Sequence, residues 1–304
     1  MAKVKRIVPG EGLELIHGDA LAVLRDLPDA SVDLVIADPP YNLGKDYGPT
    51  SALLPFDDYL EFTQAWTREV RRVLKPTGTL YAFMGFRFIS YLYQILEKDR
   101  RMLFNGWICW HYTQGVGRVK GFSARHDDIL MFTRSASYTF NLDAVRVPQK
   151  YYRQRNNMRG ANPGDVWEFS HVHYCQENRQ AHPTQKPEGL IARLVRASSH
   201  PGDLVLDPFS GSGTTLRVCQ QLERRCIGIE ANGTYVASTE QRLAAPFEGF
   251  DSVDPRMQRV PKDLNDPVVR KQYLADHERW FLEGDKAGVK AFRKRIREMY
   301  GEDG

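Results

Sequence analysis

With 304 residues, 42% of them hydrophobic, the chain is long enough to bury one large core or two modest ones, so a catalytic domain with inserted or appended elements is expected. Its longest apolar runs, such as 31–37 and 204–206, are far too short to span a bilayer, and without an apolar leader the chain reads as soluble and cytoplasmic. Four cysteines lacking CxxC spacing argue against a zinc site or a disulfide framework, no metal is expected, and a net charge of +4 leaves any nucleic-acid contact to local clustering.

Taken in chain order, 13–17 reads as a short strand ending in Gly18-Asp19-Ala20, and 21–27 as a helix stopped by Pro28. The near-continuous apolar run 32–37 suits a parallel strand covered on both faces, and it ends directly in Asp38-Pro39-Pro40-Tyr41. Tyr59, Phe62, Trp66, Val70 and Val73 follow helical steps in a segment closing at Pro76-Thr77-Gly78. Strands are predicted at 79–84, 107–111 and 128–133, with loop-like connections that suggest an antiparallel edge.

Regularity then breaks. Residues 144–160 hold five basic side chains and no acidic one, and 143–180 is expected to be an insertion. Order returns with Pro187 as a first helical position. A strand at 203–207, a turn at 208–213, a helix at 214–222 and a strand at 225–230 follow. Beyond Pro246 the chain becomes polar, with a predicted helix over 286–299. Strands alternating with helices argue for an open α/β sheet.

Phe209-Ser210-Gly211-Ser212-Gly213 falls between an apolar strand and a helix, where glycines admit a ligand to the backbone and a helix N-terminus favours polar ligand groups. Seventeen residues later, Glu230 ends the next strand, where a carboxylate can accept the hydroxyls of a ribose. A tight turn beside an incidental glutamate is the bland alternative. A nicotinamide cofactor fits less well, because Leu216 stands where GxGxxG needs its third glycine.

The Asp38-Pro39-Pro40-Tyr41 corner offers different chemistry. An exocyclic base amine is a poor nucleophile because its lone pair is delocalised into the ring. Two acceptors against its hydrogens, the Asp38 carboxylate and the Pro39 carbonyl, localise that pair and aim it at an electrophilic methyl group. Tyr41 would stack on a base turned out of the duplex, offsetting part of an unstacking cost of a few kcal/mol. A mere strand-ending turn is the alternative reading of the tetrapeptide.

Both motifs, in this order, resemble the β-class amino-methyltransferases of DNA, in which a catalytic Asp-Pro-Pro-Tyr precedes the cofactor glycine motif. The likeness runs over 11–243 and includes His17 to Ala20, Asp38 to Asn42, Gly164 to Trp167, His182 to Pro187, Asp207 to Thr215 and Gly228 to Glu230. It is greatest to the solitary bacterial adenine methyltransferases. The resemblance implies a circularly permuted class I S-adenosylmethionine-dependent methyltransferase fold, a Rossmann-like seven-stranded sheet beginning at the third strand. Domains follow as a catalytic half at 11–142, a target-recognition insertion at 143–180, a cofactor half at 181–245 and a charged extension at 246–304.

The same resemblance implies S-adenosylmethionine as cofactor. Phe209, Gly211, Gly213 and Thr214 would border its methionine part, Thr184 and Lys186 its carboxylate, Glu230 its ribose, and Asp19 and Ala20 its adenine ring. Asp38, Asp207, Ser210, Ser212 and Asn232 complete the expected cofactor set. Asp19 and Thr184 equally suit helix caps. Aspartate at the head of the corner, rather than serine, resembles the adenine-N6 pattern, with cytosine-N4 as the alternative. An RNA or protein-glutamine methyltransferase and a non-catalytic DNA-binding module are the more distant rivals.

For double-stranded DNA the candidate contacts are Arg146, Lys150, Arg153, Arg155, Asn156, Asn157 and Arg159, chemistries that meet phosphates and base edges. Arg118, Lys120 and Arg125, in the acid-free stretch 111–126, would grip the backbone beside the flipped base. A solvated loop is the plain alternative for each. Residues 251–304 carry 12 basic and 11 acidic side chains and point to a surface helix as readily as to DNA. The family likeness also implies a homodimer.

Overall fold

The computed structural model describes residues 5–42, 53–113, 117–148, 160–170 and 185–251, together with 254, 256, 266–268, 271 and 294. The strands are β1 (Lys5–Gly10), β2 (Leu13–His17), β3 (Val32–Ala37), β4 (Leu74–Met84), β5 (Leu103–His111), β6 (His126–Thr133), β7 (Val166–Glu168), β8 (Leu204–Asp207) and β9 (Arg225–Glu230). Between them lie helices α1 (Ala20–Asp26), α2 (Phe56–Val73), α3 (Ile89–Lys98), α4 (Glu188–Ser198), α5 (Thr214–Gln221) and α6 (Gly233–Ala244).

One sheet holds all nine strands in the order β1-β2-β9-β8-β3-β4-β6-β5-β7. From β2 to β4 every pairing is parallel, and β6 runs antiparallel to both β4 and β5. The seven expected strands are there, with β1 added antiparallel to β2 at one edge and β7 parallel to β5 at the other. The late-chain strands β8 and β9 lie inside the sheet beside the early strand β3, as a permuted order requires.

Local chemistry explains the elements. In β3, five of six residues are buried, because helices cover both faces: α1, α2 and α3 form one packed set and α4, α5 and α6 the other. Helix α2 turns Tyr59, Thr63, Trp66, Val70 and Val73 inward at steps of three and four. Its end is earlier than the prolines suggest, since Leu74 already pairs with Val32 of β3. Pro187 caps α4 instead of opening it, so the helix begins one residue later than expected. The predicted helix over 286–299 lies outside the described residues, apart from Lys294 in helical conformation.

This topology positions the site. Because β2, β9, β8, β3, β4, β5 and β7 run the same way, their carboxyl ends open on one edge, where open α/β sheets bind ligands. Asp19, Asp38, Asp207 and Glu230 stand at or just past four of these ends. Gly228 in β9 lets α5 approach the sheet: a Cβ there would stand 2.4 Å from the Leu216 side chain.

Candidate active site and cofactor crevice

The glycine turn leaves β8 at Asp207 and enters α5 at Thr214. Gly211 and Gly213 adopt left-handed φ of 49° and 73°. A Cβ on Gly213 would also stand 2.3 Å from the Thr239 side chain, so only glycine fits. Glu230 is locked beneath the turn by backbone N–H donors, Gly211 at 2.8 Å on one oxygen and Asn232 at 2.7 Å on the other. Burial pushes its carboxyl upward in pKa against those bonds, so it is held close to a site from which water is largely removed.

Two further expected residues act as caps. Asp19 accepts from Ala22 N–H at 2.9 Å to start α1, and Asn232 accepts from Thr234 N–H at 2.9 Å to start α6. Ala20 is the first residue of α1, at the same edge. The Phe209 ring packs edge-on to Trp66 at 5.8 Å and Phe62 at 6.1 Å, which fixes the turn against α2. Ser210 Oγ is buried with no hydrogen-bond partner, and so is Asp38 Oδ1. Both belong to the two motifs at the carboxyl edge of the sheet, where a polar ligand group would satisfy them.

Asp207 accepts from Thr215 Oγ at 2.5 Å and from Phe209 N–H at 3.0 Å. Burial nonetheless pushes its pKa up to about 7, and the charges of Asp38 and Glu230 add to the rise. The folded chain therefore holds this proton more tightly than the unfolded chain, where an aspartate titrates near 4. The stabilisation is complete below about pH 4 and is lost as pH rises through about 7. Urea unfolding at pH 5 and pH 8 should show wild type losing up to a few kcal/mol over that interval. Asp207→Asn should lose clearly less, and equal losses would contradict the proton assignment.

At the corner, Tyr59 Oη donates to the Pro40 carbonyl at 2.9 Å, tying the prolines to α2. Asn42, with φ of 51°, accepts from Leu54 N–H at 2.9 Å and donates to the Leu54 carbonyl at 3.0 Å. This pair of hydrogen bonds ties the corner to the residues just before α2. Tyr41 is buried, and Pro39 and Pro40 hold the backbone between it and Asp38.

Lys186 joins the two motifs. Its backbone carbonyl accepts from Thr214 Oγ at 3.2 Å, while its Nζ reaches Asp38 Oδ2 at 2.5 Å, across 148 residues of sequence. Lys186 is expected from the sequence to face the cofactor carboxylate; its ammonium lies on Asp38 of the Asp-Pro-Pro-Tyr corner. Sequence reasoning also missed Phe83 and Trp110, whose rings flank this lysine from β4 and β5, since both read as ordinary strand hydrophobics. Arg242 was missed too. It donates to Glu188 at 2.7 Å, the Ser212 carbonyl at 2.9 Å and Thr214 Oγ at 3.0 Å, bracing the turn from behind.

Four of the DNA candidates, Arg118, Lys120, Arg125 and Arg146, are among the described residues. Arg118, Lys120 and Arg125 belong to the connection between β5 and β6, which leaves the sheet at the carboxyl end of β5. Arg118 and Lys120 are exposed and Arg125 is half-buried. Arg146 donates to Asp143 at 2.7 Å and to the Gly160 carbonyl at 3.0 Å, holding together the two ends of the segment between them. Lys150, Arg153, Arg155, Asn156, Asn157, Arg159 and Thr184 lie outside the described residues. Among the described residues there is no cluster of potential metal ligands and no helix long and apolar enough to cross a membrane.

Fold and crevice define an α/β methyltransferase of class I, with its cofactor turn and its Asp-Pro-Pro-Tyr corner on one sheet edge. A family described as DNA methylase, of the N6/N4 methyltransferase type, matches residues 32–241, and the chain belongs to it. The type II methyltransferase M.HpaI of Haemophilus parainfluenzae is 56% identical over 287 residues, covering 94% of this chain and 91% of that one. The DNA adenine methyltransferase YhdJ of Escherichia coli K12 is 38% identical, over 77% of this chain and 83% of its own. Among solved structures, a putative DNA modification methylase of Thermus thermophilus, complexed with S-adenosyl-L-methionine, matches with 26% identity and a TM-score of 0.54. That match covers 76% of this chain and 94% of the other. The protein is thus a DNA methyltransferase using S-adenosylmethionine.

Proposed function

We propose that this enzyme methylates the N6 amino group of adenine within a specific duplex sequence, acting on a base turned out of the helix. The observation that carries the reading is the meeting of Asp38 and the glycine turn through Lys186, which puts an amine acceptor and a cofactor cradle in one crevice. The 38% identity to a DNA adenine methyltransferase supports adenine as the base.

In this reading Asp38 and the Pro39 carbonyl accept the two N–H hydrogens, and Tyr41 stacks on the base. S-adenosylmethionine, when bound, supplies a methyl group on a sulfonium centre. Phe209 to Thr214 hold its amino-acid part with Ser210 and Ser212, Glu230 accepts its ribose hydroxyls, and Asp19, Ala20 and Asn232 border its adenine. Asp207, at the root of the turn, holds the turn's shape. Positioning donor and acceptor in line removes several kcal/mol of barrier without a strong base.

Residues 143–180 act as target-recognition insertion between catalytic and cofactor halves, with Arg118, Lys120 and Arg125 on phosphates beside the flipped base. The enzyme works as a homodimer in the cytoplasm, where its DNA is accessible. Labelled methyl transfer to duplex DNA, followed by digestion to nucleosides, should yield N6-methyladenine. Recovery of N4-methylcytosine instead would overturn the base assignment. Single-molecule methylome sequencing of treated DNA gives the target sequence in the same experiment.

A further inference from the structure

The side chain of Lys186 is only 9% exposed, and the Asp38 side chain that it meets is 20% exposed. Its Nζ lies 5.3 Å from the Tyr41 ring centroid, 5.4 Å from that of Phe83 and 6.0 Å from that of Trp110. An N–H donor set on Asp38 and enclosed by aromatic faces is also what a flipped adenine presents, with its amine on the carboxylate and its ring against Tyr41. Ammonium and target amine therefore compete for one carboxylate.

Resting on the functional reading above, we propose that Lys186 is an internal stand-in for the target base. It holds the base's carboxylate until the cofactor's own carboxylate draws the ammonium away. The lysine has to leave because its charge is set on the same carboxylate, at Oδ2 beside the unpartnered Oδ1, where it neutralises Asp38 and repels the positive charge that builds on the attacking nitrogen.

The geometry supplies a pivot for this movement. The Lys186 backbone is fixed to Thr214 at the start of α5, next to the expected seat of the cofactor's amino-acid part, and only its flexible four-carbon stem need swing. Tyr41, Phe83 and Trp110 offset the cost of burying the charge until then. A ligand shifts such an equilibrium only by its differential affinity for the two positions, and here the carboxylate supplies that difference. Lys186 is thus a positioning residue that couples base entry to cofactor binding.

The test uses the full-length enzyme and a duplex with 2-aminopurine in place of the adenine located by methylome sequencing. Fluorescence reports unstacking of that base. Duplex is titrated without cofactor, with S-adenosylhomocysteine, and with 5′-methylthioadenosine, which lacks the carboxylate. S-adenosylhomocysteine should tighten the flipped complex about tenfold, within the usual span of couplings between sites, and 5′-methylthioadenosine should change it less than about twofold. Lys186→Met should flip the base without cofactor and lose the coupling.

Equal gains from both nucleosides in the wild type, or a wild-type gain retained in Lys186→Met, would overturn the inference. Should that variant not fold, the wild-type comparison decides alone. If the enzyme methylates adenine but shows no carboxylate-dependent gain, the inference falls and the functional reading stands. If no adenine is methylated, both fall.

Discussion

Replacing Asp38 by asparagine should lower the rate of methyl transfer by about a hundredfold to a thousandfold, the usual cost of removing one preorganised electrostatic contact from a transition state. Positive charge builds on the attacking nitrogen as its methyl bond forms, and the carboxylate stabilises that charge where water is scarce. Asparagine keeps the shape and one acceptor but loses the charge. It also keeps a hydrogen bond for Lys186, which alanine would leave charged and largely buried without its partner. Asparagine is therefore the cleaner variant. Labelled transfer should show the loss in kcat, while cofactor affinity, measured by calorimetry, stays within a few-fold. Unchanged kcat would remove Asp38 from the reaction.

Much of this corner was legible because its signals are local. An apolar run with no polar face can be satisfied only by a strand covered on both sides, and β3 has the bounds that the run suggests. The turn at Gly211 and Gly213 was legible because left-handed backbone and close packing both select glycine, and the same demand recurs wherever this turn is built. The order of the two motifs then implied the permuted sheet, and the sheet has that order.

What could not be read has a common physical origin. Strand β1 has no fully buried position, and β7 has one buried residue in three, so neither leaves an apolar pattern. Charged groups that pair across the fold carry no period at all. Arg193 stacks between Trp167 and Phe169 and meets the buried Asp254, which fastens the start of the C-terminal extension to α4 beside β7. Asp251 accepts from the Glu188 N–H at 2.6 Å and so caps α4 from 63 residues away. In sequence these residues resemble solvated surface charge. The Lys186 contact with Asp38 was not legible for a different reason, since a flexible cation is not assigned to one anionic partner by its motif.

The buried pair Glu188 and Arg242 sets a second large effect. Both side chains are almost fully enclosed, and their carboxylate and guanidinium meet at 2.7 Å. Glu188→Ala should cost about 3 kcal/mol of folding stability, because it removes the direct partner of a buried guanidinium and leaves only Asp251, which also feels the Arg242 charge, to offset it. A double variant, Glu188→Leu with Arg242→Met, removes both charges and should recover most of that loss, since apolar pairs of similar volume commonly replace buried ion pairs at little cost. Cofactor affinity should not recover with it. Arg242 also holds the Ser212 carbonyl and Thr214 Oγ, so the double variant frees the turn that Gly211 and Gly213 shape. Denaturant unfolding and calorimetric cofactor binding, run on the same preparations, should therefore part company: near-native stability with clearly weakened binding. If affinity returned together with stability, the ion pair would be a fold-wide brace without a particular part in presenting the cofactor turn.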